Sequence, residues 1–408
     1  MFRINLWIWS TKLEISMKNI LIVSSSLVMG GLEKCFINLC DNLDYDKYQV
    51  DLYLFNEGRD LVSKLNKNVH LLEESTLYYD VYNKPFFKSI KTLLKKKKFG
   101  LLFYRIGRFI RSRLKCNKFT VNDFKNMKKT MLKIDKHYDV AIGFEEGTAC
   151  YYVADCVDAT VKIGWIHTDL KQVNPNVKLD DMAFSKMNAV ATVSNNSLNS
   201  LCSLYPKHKD KFKCIYIPRL LNYDEIDRLS NEENNMRKNG INILSVGRLV
   251  ELKGFHLCVP VLKKLIDDGY DACWYVAGEG EYRIEIEKEI EKYGLKDRFI
   301  LLGNCANPYT YIKSSTICVQ PSSYEGQSVV ILEEKYFNKA VVVTNISSNL
   351  EMICDHKNGI TVDRNVEAIY NGVKELLSDE KLLTTLAKEP VLGPTDNDEI
   401  IRQIEQLF

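Results

Sequence analysis

Apolar residues fall along this chain in short, nearly continuous runs, separated by stretches in which they recur every three or four positions. The runs NILIVSSS (19–26), YQVDLYLF (48–55), DVAIGF (139–144), VKIGWIH (161–167) and AVATVS (189–194) predict the strands of a first half. INILSVGRL (241–249), ACWYVAGEG (272–280), RFILLGN (298–304), TICVQPS (316–322) and AVVVTN (340–345) repeat the scheme in a second. Strands that are apolar on both faces and alternate with helices indicate parallel sheets covered on both sides. The fold class is therefore α/β, with two doubly wound domains over 17–225 and 226–408 and a polar linker candidate at Asn231–Gly240. The last helix is a candidate for crossing back to the first domain.

At 408 residues the chain exceeds one compact core and fits two domains facing a cleft. The apolar core of MFRINLWIWSTKLEISMKN is too short for a signal peptide or a membrane span, which predicts a cytoplasmic protein. Because Met17 directly precedes the first strand, residues 1–16 read as an upstream extension, with translation starting at Met17. The closest of the twelve cysteines, Cys35/Cys40 and Cys150/Cys156, lack zinc or redox spacing, so free thiols are expected.

Charge adds a feature that hydropathy does not show. Residues 81–137 hold 18 Lys or Arg against Asp123 and Asp135, a net +16, which from the chain total of +3 leaves −13 elsewhere. Leu102, Phe103, Ile106, Phe109 and Ile110 recur at helical spacing there, with Arg105, Arg108 and Arg113 beside them. This pattern predicts peripheral docking on an anionic membrane surface through residues 81–137. No nucleic-acid motif accompanies the charge, and nucleic acid is not expected as a partner.

In doubly wound sheets ligands bind beyond the carboxyl ends of the strands, so the residues just after each run carry the candidate chemistry. Gly30 and Gly31 precede a helix whose apolar face is Leu32, Cys35, Phe36 and Leu39; they allow a ligand close to the backbone, and the helix start favours an anion. Arg248 and Lys253, in SVGRLVELKGF, are donors suited to a diphosphate. In PSSYEGQSVVILEE, Ser328 is placed to cap a helix, Glu325 lies just before it and Glu333 within its second turn. Carboxylates accept hydrogen bonds from sugar hydroxyls, while amides at Gly326, Gln327 and Ser328 point at an anion. Taken alone, two glutamates so spaced recur by chance, and Glu333 or Glu334 then belongs on a solvated face. Glu145, Glu146, His167 and Asp169 close further strands and face the same cleft.

The Asp-x-Asp pairs at 44–46 and 396–398 follow no apolar strand, so no metal is indicated and no cofactor is expected. GEGEYR (278–283) lacks the third glycine of a dinucleotide fingerprint, which disfavours a nicotinamide enzyme.

Together, SVGRLVELKGFHL, VAGEGEYRIEIEKEIEKYGLKDRFILLG, NPYTYIKSSTICVQPSSYEG and the E-x7-E stretch resemble the family 4 retaining glycosyltransferases, which have the GT-B fold of two facing Rossmann-like domains. The resemblance runs from about Lys18 to about Val362 and is nearest to transferases of capsule, lipopolysaccharide and other surface glycans. It implies a retaining, metal-independent hexosyltransferase moving a sugar from a nucleotide-sugar donor, UDP favoured, to a lipid-linked or surface-glycan acceptor. Arg248 and Lys253 would hold the diphosphate, Glu333 the ribose, and Glu325 the donor sugar. Gly30 and Gly31 would approach the donor phosphates, Gly303 and Asn304 would lie beside the base, and His167 would sit near sugar and acceptor. Glu146, Asp169, Ser194 and Asn195 would line the acceptor side of the cleft. Gln327 and Ser328 depart from the family's usual aromatic or Met followed by Gly or Pro, and so bear on the choice of sugar. A noncatalytic GT-B subunit that binds glycan and a sugar-nucleotide epimerase are the competing readings.

Overall fold

The structure is a computed structural model that describes residues 17–28, 31–114, 119–173 and 175–408; the upstream stretch 1–16 and Gly30 lie outside the described residues. Seven parallel strands build the first sheet: β1 (Lys18–Ser24), β2 (Tyr48–Leu54), β3 (Val69–Leu71), β4 (Tyr138–Gly143), β5 (Ala159–Ile166), β6 (Ala189–Thr192) and β7 (Phe212–Cys214). Six build the second: β8 (Ile241–Val246), β9 (Ala272–Ala277), β10 (Phe299–Gly303), β11 (Ile317–Gln320), β12 (Ala340–Thr344) and β13 (Ile360–Val362). The strand orders are 3-2-1-4-5-6-7 and 10-9-8-11-12-13, two Rossmann-like sheets.

The apolar runs are explained by burial on both faces. In β1, Ile20 and Ile22 enter one core cluster while Leu21 and Val23 enter another. In β12, Ala340 and Val342 face one cluster and Val341 and Val343 the opposite one. Every position of such a strand is apolar because neither face meets water. The strands that the pattern missed, β3, β7 and β13, are sheet edges of three residues each, too short to show a period.

Strand order reverses between β1 and β4 in the first sheet and between β8 and β11 in the second. Loops leaving neighbouring strands at such a point run in opposite directions and open a crevice. The loops after β1, β4, β8 and β11 hold Gly31, Glu145 and Glu146, Arg248 and Lys253, and the stretch from Pro321 to Ser328.

Two segments depart from simple alternation. The helix Tyr223–Ser230 contributes Ile226 to the second domain's core, together with Leu221 just before it, so this core begins ahead of the 225/226 boundary. At the other end, the helix Asn397–Glu405 packs Ile400 and Ile404 into the first domain's core. Tyr48 meets Phe408 edge to face at 5.5 Å and donates to Glu405.

The basic segment folds as a helical insertion between β3 and β4, with helices Phe86–Lys95, Phe99–Arg113 and Val121–Lys128. Its apolar residues do not share one face as the spacing predicted. Leu102 turns inward with Val81, Leu93 and Leu101, and Phe109 stacks on Phe86 at 4.1 Å. Phe99, Phe103, Ile110 and Leu114 stay exposed along one stripe of the long helix, with Phe87 and Leu94 exposed on its neighbour. The expected arginine flank is also partly internal: Arg105, Arg108 and Arg113 lie over the rings of Phe86, Tyr82 and Phe109. Among the described residues, no helix is long and apolar enough to cross a membrane.

The docking of the last helix yields a test. Ile404→Ala removes a fully buried side chain and should lower stability by about 2–5 kcal/mol in denaturant unfolding, through a cavity in the first domain's core. A loss below about 0.5 kcal/mol would show the helix to be an accessory.

Candidate functional site

The loop after β8 is shaped by close backbone approach. Gly247 has a φ of +152°, and a Cβ on Gly278 would sit 1.8 Å from the Gly247 carbonyl oxygen, so these two turns close only as glycines. Gly254, at φ +73°, lets the following turn pack on the Pro321 carbonyl, where a Cβ would come within 2.3 Å. That packing brings Lys253 to Glu325: the ammonium pairs with the carboxylate, whose same oxygen also accepts from the Ser322 hydroxyl at 2.7 Å. Arg248 does not join this pair. It is exposed, and its charge reaches across to Glu33 in the first turn of the helix Gly31–Asn42, where burial raises the carboxyl's pKa and Arg248 counteracts it. The two cations expected to act together thus stand on different partners.

Ser328 occupies the N-cap of the helix Val329–Tyr336, yet its side chain accepts no hydrogen bond from the helix, contrary to the capping expectation. The first-turn amides are left uncapped by it, a local donor set for an anion. Glu333 is not on a solvated face. It is 2% exposed, and its Oε1 accepts from Lys34 Nζ at 3.2 Å and from Tyr309 Oη at 3.1 Å. Lys34 belongs to the first domain, while Tyr309 starts the helix Tyr309–Ser314 after the Gly303–Pro308 loop. Gly303 is left-handed at φ +75°, and Asn304 is exposed at the mouth of that loop.

Glu334, the next residue along the helix, is fully buried behind the site. Its Oε1 accepts from Gln320 Nε2 at 2.6 Å, and Oε2 has no partner. Burial pushes its pKa up to about 8, so the fold holds it as a neutral acid.

On the first domain, the two glutamates after β4 divide. Glu146 accepts from the His167 amide at 3.0 Å and the Thr168 hydroxyl at 2.9 Å, and so holds the His167 loop. Glu145 accepts from the Ser25 hydroxyl at 2.9 Å, and burial raises it to about 7. The His167 ring lies 4.9 Å from Phe144; burial lowers its pKa to about 4, which makes it a neutral imidazole. Its Nε2 is buried without a partner, as are both amide atoms of Gln327 on the facing loop. These loops touch: a Cβ on Gly326 would lie 2.6 Å from the His167 carbonyl oxygen. Buried polar atoms without partners cost about 1–3 kcal/mol each, so three beside one cleft mark a place for a ligand or water.

Of the remaining expected residues, Asp169 and Asn195 join the domains, while Ser194 serves its own helix. Asp169 donates its amide to Tyr324 Oη at 2.7 Å and accepts from Asn196 at 3.3 Å. Ser194 caps the helix Asn195–Leu204 with its side chain and is buried. The Asn195 and Asn196 amides donate to Glu351 of the second domain at 2.9 and 2.8 Å. Asn195 also donates from its side chain to Tyr216.

Sequence reasoning missed Lys34, Tyr309, Tyr324 and Glu351. Lys34 carried one available signal: a cation in the first turn of a helix opposes the dipole and calls for a partner outside the helix. Gly31 opens that helix, and no metal-holding group of three or more His, Cys, Asp or Glu occurs among the described residues.

Glu334 gives a pH test. Its folded pKa exceeds the ordinary value of 4.5, so its contribution to stability is full below that value and is lost as pH rises through about 8. Lys335 beside it, held down to about 8 by burial, contributes with the opposite sign, gaining toward high pH. Glu334→Gln should therefore leave Lys335's term and lose less stability than the parent between pH 5 and 9 in thermal melts. Parallel curves would contradict the assignment.

Comparison with known proteins bears on the family and the fold. Residues 207–389 match the family model described as Glycosyl transferases group 1. An uncharacterized glycosyltransferase of Methanocaldococcus jannaschii is 30% identical over 233 residues, 54% of this chain and 59% of that one. The N-acetylgalactosamine-N,N'-diacetylbacillosaminyl-diphospho-undecaprenol 4-alpha-N-acetylgalactosaminyltransferase of Campylobacter jejuni is 28% identical over 212 residues, 51% of this chain and 55% of that one. The chain spans about half the length of these curated relatives. A variant of Staphylococcus aureus TarM, solved with fondaparinux, alpha-GlcNAc-glycerol and UDP, superposes with a TM-score of 0.68 at 14% identity, over 96% of this chain and 99% of that one. The chain thus has the GT-B fold, and its segment 207–389 matches glycosyl transferases group 1.

Proposed function

We propose that the protein is a retaining, metal-independent glycosyltransferase of family 4 type, which transfers a sugar from a UDP-sugar to a lipid-linked or surface-glycan acceptor. The observation that carries this reading is the stretch from Gln320 to Glu333. It presents a cation-paired carboxylate at Glu325, uncapped helix amides and a buried carboxylate at Glu333, in the order in which a nucleotide sugar offers sugar, phosphate and ribose. The UDP held by the TarM variant and the diphospho-undecaprenol acceptor named for the Campylobacter relative support the donor and acceptor classes.

In this reading Glu333 accepts from the ribose hydroxyls, and Arg248 and Lys253 face the diphosphate. Breaking the sugar–phosphate bond builds negative charge on the leaving group and positive charge on the anomeric carbon. Fixed cations stabilise the first, and Glu325, already held by Lys253 and Ser322, stands beside the second. The leaving phosphate takes the acceptor proton, so no side-chain nucleophile is required. His167, neutral, offers its unpaired Nε2 to the sugar or acceptor, and the Gln327 amide offers a donor and an acceptor together.

The exposed stripe Phe99, Phe103, Ile110 and Leu114, set in a segment of net +16, supports peripheral attachment to an anionic leaflet near a lipid-borne acceptor.

Two measurements test this. Lys253→Ala and Glu333→Ala should each reduce transfer from the best UDP-sugar about tenfold or more, a loss of roughly 1.4 kcal/mol; parent rates in both would refute the site. In co-sedimentation, the protein should bind vesicles containing anionic phospholipid and release in high salt, and Phe103→Ser with Ile110→Ser should weaken binding. Equal binding to neutral and anionic vesicles would contradict the surface.

A further inference from the structure

The ammonium that meets Glu333 comes from the opposite domain. Lys34 lies on the helix Gly31–Asn42 at the end of the first sheet's crevice, and it sits 5.4 Å over the Tyr309 ring while bonding the Glu333 carboxylate. Lys34 and Tyr309 both use Oε1, and Oε2 accepts no hydrogen bond from the described residues. The same residues line a small cavity of about 70 Å³ between the domains, together with Leu61, Leu229 and Ala306. The carboxylate is thus fixed from one side and open on the other.

A carboxylate this deeply buried is costly to ionise without a cation, and its simplest escape is to take up a proton. A protonated carboxyl has lost part of the acceptor capacity that a pair of adjacent hydroxyls requires. The cation paired with it stands where the helix dipole disfavours it, so nothing in its own helix accounts for its placement.

We infer that Lys34 is a positioning residue for nucleoside recognition: it reaches across the domain interface to fix the Glu333 carboxylate by its Oε1, with Oε2 turned to the ribose. This rests on the reading that Glu333 takes the ribose hydroxyls. The field of Glu333 in turn raises the pKa of Lys34, so the lysine stays a cation through neutral pH. Because the cation and the carboxylate belong to different domains, the ribose site is complete only when the domains are closed. Nucleotide binding and closure are then linked, each favouring the other.

The test is calorimetric titration of the full chain with UDP and with GDP, taking forward the tighter of the two, in the parent, Lys34→Met, Lys34→Arg and Lys34→Gln. Lys34→Met should weaken the nucleotide about tenfold or more, as loss of a charge-assisted hydrogen bond to a buried group does, and Lys34→Arg should recover most of it. With the sugar nucleotide, KM should rise more than kcat falls. Melting of the unliganded Lys34→Met protein separates this from a folding defect. Should that variant fail to fold, Lys34→Gln, which keeps length and polarity, makes the same comparison. Parent-like or tighter binding in the folded neutral variant would overturn the role of Lys34 and leave the site standing. Absence of nucleotide binding in the parent would overturn both.

Discussion

A carboxylate buried at a domain interface calls for a positive partner, and at Glu333 that partner lies in the other domain. The pair with Lys34, backed by Tyr309, ties the loop after β10 and the helix after β11 to the first helix of the facing domain. A second set of contacts, from Glu351 to the start of the helix Asn195–Leu204 and from Tyr324 to Asp169, closes the same interface elsewhere. The bonds at these places are polar, which suits a boundary that opens to admit a ligand better than a continuous apolar core would.

Closure explains why the cleft holds unpaired groups. With Gly326 pressed against the His167 carbonyl, the loops of both domains shut out water around His167 Nε2 and the Gln327 amide. Atoms so placed lack the solvent they would use when open and lack a protein partner when closed. In the proposed function, a sugar with hydroxyls on several faces would supply both donors and acceptors there. The neighbouring Glu325 meets the opposite condition, since Lys253 and Ser322 already hold it.

Much of this was legible in the sequence wherever burial writes a long pattern. Strands such as β1 and β12 are apolar at successive positions because cores lie on both sides, and that fixed both their type and the parallel arrangement. Edge strands of three residues leave no such trace. The loops with Arg248, Lys253, Glu325 and Glu333 could be found because they follow buried strands, but which cation meets which carboxylate could not, since pairing is decided by folding across 72 positions for Lys253 and 299 for Lys34. In the basic insertion, spacing located the helix but not its inward face: Leu102 and Phe103 are adjacent and equally apolar, and only the packing against Val81 and Leu93 separates them.

In the proposed function, the buried carboxylate of Glu333 receives the nucleoside in a cleft closed by the opposite domain. The most direct measurement is a crystal structure of the protein with UDP bound. Ribose hydroxyls are expected on Glu333, the diphosphate between Arg248, Lys253 and the amides of Gly326 to Ser328, and Lys34 still paired with Glu333. A nucleotide seated elsewhere, or one that displaces Lys34 from the carboxylate, would contradict it.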